Sequence, residues 1–423
     1  MAFDKSGLIL GRHCILARVK ESKIHAPCNQ YRYGTYFADR PNSFWRPGYY
    51  MIMTNARPTL SVIVNNYNYE DYVGFAIESA LAQDPRPEVI VVDDCSTDGS
   101  RAVISTYSDR VRTVFLEENQ GQGGAFNFAY PHATGDLILF LDADDFMLPN
   151  AAKTILENYD PASAIYHYRM RYADEDSNTS GLYPAPESAL AEGNISEQLR
   201  KAGTYAGTVT SGMVFSKRAL DQVMPMENPD GYRYGGDGYL TASVPLYGPS
   251  QSSDTAITAY RLHGRQHSQF ASALAKRARW RIEHAHERYA TTKAHAQRLG
   301  LHVASDLGRT DAFVTREHLV SLLLEPQHHP YSEDTVPGLI RRYRETMTKP
   351  TNSLKRALGS IWWFTFSNAP RASQRAMIKW LVDANTRPAW LQSLGRVIRR
   401  RLRGALPSLI SAAKPNQTDS DFW

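Results

Sequence analysis

Only three cysteines occur in 423 residues, and Cys14, Cys28 and Cys95 form no Cys-x-x-Cys pair. A disulfide framework is thereby excluded and a reducing, cytoplasmic compartment is expected. No stretch of about 18 apolar residues exists, so no membrane-spanning helix is expected; the longest candidate, residues 361–366, is far too short. Arg12, His13, Arg18 and Lys20 interrupt the apolar residues near the start, which leaves no secretion-signal core. There is no Walker-type Gly-x-x-x-x-Gly-Lys-Ser/Thr, no internal repeat and nothing resembling a nucleic-acid-reading module, so no nucleic acid partner is expected. Neither sign of charge dominates: 48 Lys and Arg against 43 Asp and Glu leave a formal +5. With 42% hydrophobic and 22% charged residues the composition is that of a globular protein, long enough for two or three domains.

Residues 1–57 are rich in Tyr, Arg, Asn and Pro and sustain no apolar period, so an irregular N-terminal extension is expected there. A different regime begins with Leu60-Ser61-Val62-Ile63-Val64, a β-branched run suited to a buried parallel strand. Tyr72, Val73, Ala76, Ile77, Ala80 and Leu81 then recur at helical spacing up to Asp84-Pro85. Residues 89–92 form a second strand and residues 111–116 a third. The Gly-rich turn 119–124 leads into a helix, and residues 137–141 form a fourth strand. This β-α-β-α-β-α-β order predicts an α/β fold, a Rossmann-like, mostly parallel sheet with flanking helices that binds ligands beyond the carboxyl ends of its strands. Beyond residue 270 amphipathic, charged segments predict an α-helical C-terminal region, giving expected domains 1–57, 58–270 and 271–423.

The acidic residues stand where such a sheet binds ligands. Asp142, Asp144 and Asp145 follow the fourth strand and Asp93 and Asp94 the second. Three carboxylates at one strand end repel one another unless something offsets their charge. Mg²⁺ or Mn²⁺ suits such hard oxygen ligands and leaves coordination positions open for diphosphate oxygens. The competing reading of Asp142 and its neighbours is a helix cap, since Asp is common there; acidic residues on a second strand end weigh against it.

Four segments taken together resemble the inverting glycosyltransferases of family 2, which have the GT-A fold: residues 60–68 (LSVIVNNYN), 91–98 (VVDDCSTD), 119–127 (NQGQGGAFN) and 134–145 (TGDLILFLDADD). The resemblance implies a nucleoside-diphosphate sugar donor, UDP-sugar favoured, and a saccharide or lipid-linked acceptor. It places Asn66, Tyr67, Asn68, Asp93, Asp94, Asp142 and Ala143 at the donor, with Gly123 and Asn127 as lesser contacts. It makes Asp142 and Asp144 the metal-binding DxD motif, with Asp144 the direct ligand. Gly235-Gly236-Asp237-Gly238 resembles the segment carrying the family's catalytic base, which makes Asp237 the candidate; a turn residue among glycines is the alternative. Tyr260-Arg261-Leu262-His263 with Ser268 resembles the stretch that closes the family domain, so His263 is a further metal candidate and Arg261 or Arg265 a phosphate partner. Competing functions are a nucleotidyltransferase and a non-catalytic nucleotide-sugar-binding assembly protein.

Between residues 352 and 406 stand 11 Lys or Arg and one acid, Asp383, interleaved with Trp362, Trp363, Phe364, Phe366, Trp380 and Trp390. That composition fits helices lying on the inner face of an anionic cytoplasmic membrane, and it fits equally a small helical core with a solvated basic face. Removal of residues 1–50 is expected to leave a folded, active protein. Loss of folding in the shortened chain, read by circular dichroism, would reject that expectation.

Overall fold

In a computed structural model that describes residues 30–34, 50–54, 57–263, 274–346, 353–383 and 386–393, the chain divides into two units, Met1–Arg57 and Pro58–Trp423. Within the first, β1 (Gln30–Gly34) pairs antiparallel with β2 (Tyr50–Thr54). Both segments carry aromatic or β-branched residues that favour strands, yet each is too short for a two-residue period to register. The expected irregularity therefore does not hold for these two segments.

The second unit begins with β3 (Leu60–Asn66), followed by α1 (Val73–Leu81), β4 (Glu88–Asp93), α2 (Ser100–Ser105), β5 (Arg112–Phe115), α3 (Gly121–Ala129) and β6 (Leu137–Asp142). The four strands pair in parallel in the order β5-β4-β3-β6. The middle positions of β3, β4 and β6 are buried and almost all apolar because both faces of these strands are covered, whereas the edge strand β5 is only partly buried. Val62, Val64, Val89, Val91, Leu139 and Leu141 point toward the side packed by α1, whereas Ile63, Ile90, Val92, Ile138 and Phe140 point toward α3.

The register sets up everything that follows. Asn66 lies opposite Asp93 and Asn65 opposite Asp142, so the polar ends of three strands finish side by side.

After β7 (Phe146–Met147) and α4 (Ala151–Glu157), the chain adds β8 (Ile165–Ala173), β9 (Thr179–Tyr183), α5 (Ser196–Ala202), β10 (Met213–Ser216), α6 (Lys217–Leu220), α7 (Asp237–Ser243) and β11 (Ser250–Arg261). The sheet continues β6-β10-β8-β11-β7, with β9 on β8. β10 runs antiparallel to both β6 and β8, while β11 is parallel to β8. The parallel order expected from the sequence thus describes the first half, and the whole sheet is mixed.

The helical region comprises α8 (Leu274–Arg298), α9 (Ala312–Leu324), α10 (Val336–Thr346), α11 (Ser353–Asn368) and α12 (Arg371–Val382). Its core gathers Leu319, Leu323, Ile340, Tyr343, Trp362, Trp363, Phe366 and Ile378. Three of the aromatics expected either at a membrane or in a core are therefore core residues. Ile361, Phe364 and Trp390 are exposed. α8 also packs against α7, which joins this region physically to the sheet domain. The boundary expected at residue 270 lies outside the described residues, as do Arg265 and the basic residues Arg396, Arg399, Arg400, Arg401 and Arg403.

Candidate active site

Three carboxylates end or follow β6. Asp142 accepts a hydrogen bond from Gln122 Nε2 at 2.8 Å, and its backbone N–H donates to Ser211 Oγ at 3.1 Å. Asp144 lies 3.0 Å from His263 Nε2 through Oδ2, and the Tyr69 hydroxyl donates to the same carboxylate. Asp145 is buried; Oδ1 accepts the Arg261 N–H at 3.0 Å, and Oδ2 has no hydrogen-bond partner. Desolvation, followed by repulsion from Asp144, pushes the carboxyls of Asp142 and Asp145 well above the ordinary range.

The fourth carboxylate arrives from a distant segment. Asp237 opens α7, and the Thr210 side chain lies within hydrogen-bonding reach of both Asp237 and Asp142. A single hydroxyl proton serves one carboxylate at a time, so Thr210 links the two without neutralising either. Burial raises the Asp237 carboxyl, and the Arg288 guanidinium on α8 acts in the opposite direction. Each carboxylate destabilises the ionised form of its neighbour, as Asp237 does for Asp142.

The Gly-rich turn clasps these pieces together. Gln122 donates to Asp142 through Nε2 and accepts the Gly236 N–H through Oε1 at 2.8 Å, tying Asp142 to the segment that carries Asp237 with one side chain. The Gln122 N–H donates to the Arg233 carbonyl at 2.9 Å, and the Arg233 guanidinium returns to Asn119. Gly121 has φ +73, and a Cβ there would lie 2.5 Å from the Arg233 Cα. Both the left-handed backbone and the close approach require glycine.

At the neighbouring strand end, Asp94 accepts the N–H groups of Gln120 and Gly121 at 2.6 and 2.8 Å, which fixes the start of α3. Asp93 is fully buried, and its oxygens are taken by Asn66 Nδ2, the Ser96 N–H and Arg101 Nε. It therefore shapes the loop from inside, not from the ligand side as expected. Asn68, with φ 60, holds Thr97 through its side chain and Ser96 through its N–H. Tyr67 is half-buried, and Ala143 is buried with its N–H on the Asn65 carbonyl.

Three other expectations are revised by packing. Asn127 spends both ends of its amide on the Met226 backbone, and Gly123 is pressed against Tyr232 and Met226, so neither faces a donor site. Arg261 directs its guanidinium at the carbonyls of Asp144, Asp174 and Glu175 and at Ser177 Oγ, which makes it a loop clamp and not a phosphate partner. Conversely, Gln122, Thr210, Ser211 and Arg288 belong to the site but were not singled out. Gln122 sat inside a quoted segment, whereas nothing in the local sequence marks Arg288.

Residues 61–224 match the model of glycosyl transferase family 2. An uncharacterised glycosyltransferase of Nostoc is 33% identical over 224 residues, which cover 51% of this chain and 69% of that protein. This chain belongs to glycosyltransferase family 2. A putative teichuronic acid biosynthesis glycosyltransferase of Bacillus subtilis is 45% identical over 97 residues, covering 22% of this chain and 38% of its own length. An Escherichia coli enzyme named UDP-Glc:alpha-D-GlcNAc-diphosphoundecaprenol beta-1,3-glucosyltransferase is 30% identical over 130 residues, 30% of this chain and 51% of its own. Against these last two the chain spans only about a third to a half of the relative. The chain is accordingly a glycosyltransferase acting on a nucleotide sugar, with a GT-A-type fold, and the match to the family model ends before the segment that carries Asp237.

Gly121→Ala is expected to lower stability by about 1–3 kcal/mol, because strained backbone and a Cβ collision act together. Urea denaturation of the variant beside the parent protein measures it; an unchanged midpoint would contradict the clasp between the turn and Arg233.

Proposed function

We propose that this glycosyltransferase moves a sugar from a nucleoside diphosphate sugar, UDP favoured, onto a saccharide or lipid-linked acceptor with inversion at the anomeric carbon. The observation that carries the proposal is the convergence of Asp142 and Asp237, from distant segments, on Thr210. A single displacement needs a base for the acceptor proton and a separate means of holding the departing diphosphate. Two carboxylate groups at one edge supply both.

Asp237 takes the proton of the acceptor hydroxyl as that oxygen bonds to the anomeric carbon. The bond from that carbon to the diphosphate oxygen breaks, and its electron pair leaves with the nucleoside diphosphate. A raised carboxyl suits the base role, since a stronger base takes a hydroxyl proton more readily near neutral pH. Arg288 limits how far it rises.

The DxD residues fit a hard divalent cation, Mg²⁺ or Mn²⁺. Mutually repelling carboxyls, with one buried oxygen of Asp145 left without a partner, are a donor set that a cation satisfies. Asp142 and Asp144 would hold it, with His263 beside Asp144 as the third candidate ligand. When bound, the cation supplies charge neutralisation for the leaving diphosphate. Asn66, Tyr67, Asn68, Asp94 and Ala143 form the donor side of the proposal, with Asp93 bracing the loop. The UDP preference and the lipid-linked acceptor draw on the printed name of the Escherichia coli relative.

Attachment to the inner face of the cytoplasmic membrane is the remaining part of the proposal. No helix among the described residues is long and apolar enough to cross a membrane. Exposed Ile361, Phe364 and Trp390 support contact with a bilayer surface, with Arg371, Lys379 and Arg387 nearby in sequence.

Three measurements test this reading. Asp237→Asn is expected to lower kcat by about 10²–10⁴-fold while nucleotide-sugar binding, read by calorimetry, persists; Asp144→Asn should weaken Mn²⁺-dependent donor binding itself. Equal transfer by Asp237→Asn and the parent would remove Asp237 as base. The acidic limb of kcat/KM should lie above the ordinary Asp value of about 3.9, because the ionised base is lost as pH falls through its raised pKa. Arg288 lowers that pKa, so Arg288→Met should move the limb to higher pH; a downward move would contradict the pairing. Finally, the full-length chain should float with anionic liposomes at low salt, and its retention in the soluble fraction would count against membrane attachment.

A further inference from the structure

Away from the acidic edge, two imidazoles and a carboxylate of the helical region converge on one point. His318 stands on α9, His329 and Asp334 on the loop between α9 and α10. Asp334 Oδ2 lies 2.5 Å from His318 Nδ1 and 3.0 Å from His329 Nε2. These three atoms all lie within 4.8 Å of one another. The side chains are withdrawn from solvent, at 5%, 2% and 14% exposure for His318, His329 and Asp334.

We propose that His318 Nδ1, His329 Nε2 and Asp334 Oδ2 bind one divalent transition-metal ion of the imidazole-preferring class, Zn²⁺ foremost. Two nitrogens and one oxygen form a borderline-soft set, unlike the all-oxygen DxD carboxylates, and they favour Zn²⁺ over Mg²⁺ or Mn²⁺. In tetrahedral zinc sites metal–nitrogen distances of about 2.0–2.1 Å place neighbouring ligand atoms about 3.3 Å apart. The observed 2.5 and 3.0 Å reach that spacing with shifts below 1 Å.

The supporting shell points the same way. Ser321 Oγ lies 3.0 Å from His329 Nδ1, the nitrogen facing away from the point of convergence, and so can fix the tautomer that leaves Nε2 free to ligate. Tyr331 lies against both rings, at 5.0 and 6.1 Å between centroids, and its hydroxyl is held by His286 Nδ1 at 2.8 Å. Three protein ligands leave one tetrahedral position open. It can face the cavity of about 750 Å³ that His318, Asp334 and Tyr331 line. The ion would tie the loop after α9 to the helix itself, through residues distinct from the carboxylates at the strand ends.

Co²⁺ is the probe, because a four-coordinate site with nitrogen ligands gives strong visible d–d absorption whereas an all-oxygen, six-coordinate site absorbs weakly. Full-length protein, stripped with chelator and dialysed, is titrated with Co²⁺ and then with Zn²⁺. One equivalent of strongly absorbing Co²⁺, displaced by Zn²⁺, is expected. His329→Gln and Asp334→Asn should weaken it at least about tenfold, with folding verified by circular dichroism, while Asp144→Asn should leave the absorption unchanged. Absence of the absorption in the parent protein, or its survival in both His329→Gln and Asp334→Asn, would overturn the proposal. Loss in Asp144→Asn alone would assign the ion to the transfer site and equally overturn it. Because no arm reads sugar transfer, failure here leaves the glycosyltransferase reading untouched.

Discussion

The arrangement of this protein depends on gathering like-charged carboxylates where water cannot fully screen them. Burial raises the proton affinity of Asp142, Asp145 and Asp237, and repulsion adds to it at Asp142 from Asp144 and Asp237 and at Asp145 from Asp144 and Asp142. The partners that fix Asp142 and Asp145 are neutral: Gln122, the hydroxyls of Thr210 and Ser211, and the Arg261 N–H. Neutral donors orient a carboxylate without cancelling its charge. The sheet edge therefore concentrates negative charge, which under the proposed reading a divalent cation offsets.

That explains why so much of the fold serves the edge. Buried β3, β4 and β6 are apolar in their middle and end in polar residues, where the parallel register aligns Asn66 with Asp93 and Asn65 with Asp142. Because the strands are locked from both faces, their ends cannot drift apart to relieve repulsion. The turn carrying Gln122 ties this edge, through one amide side chain, to the segment that carries Asp237.

The parallel half of the sheet was legible in the sequence because full burial writes unbroken apolar runs, such as Val89-Ile90-Val91-Val92. β11 escaped notice for the opposite reason. Its first half, Ser250-Gln251-Ser252-Ser253-Asp254-Thr255, is polar and draws its pairing from β8, a contact with no local trace. The same distinction divides the site. Asp142, Asp144 and Asp237 stood out as carboxylates at turns, but Arg288 lies on a long charged helix where one arginine resembles its neighbours, and only packing of α8 on α7 reveals it. Asn127 and Gly123 misled because a shared segment was read as shared contact, whereas their atoms face the protein interior.

The helical region also bears on the proposed base, although its sequence suggested mainly a surface. Trp362, Trp363 and Phe366 form its core with Tyr343 and Ile378, which leaves only part of the aromatic content, Ile361's neighbour Phe364 and Trp390, for an outer surface. From that core α9 packs on α8, and α8 presents Arg288 toward Asp237. The Arg288 guanidinium donates through Nη2 to the Gly203 carbonyl at 3.4 Å, while its buried Nε has no hydrogen-bond partner among the described residues. Under the proposed role of Asp237 as base, a shift of α8 along α7 would alter the field at its carboxyl, because α8 carries the Arg288 guanidinium that opposes the rise caused by burial.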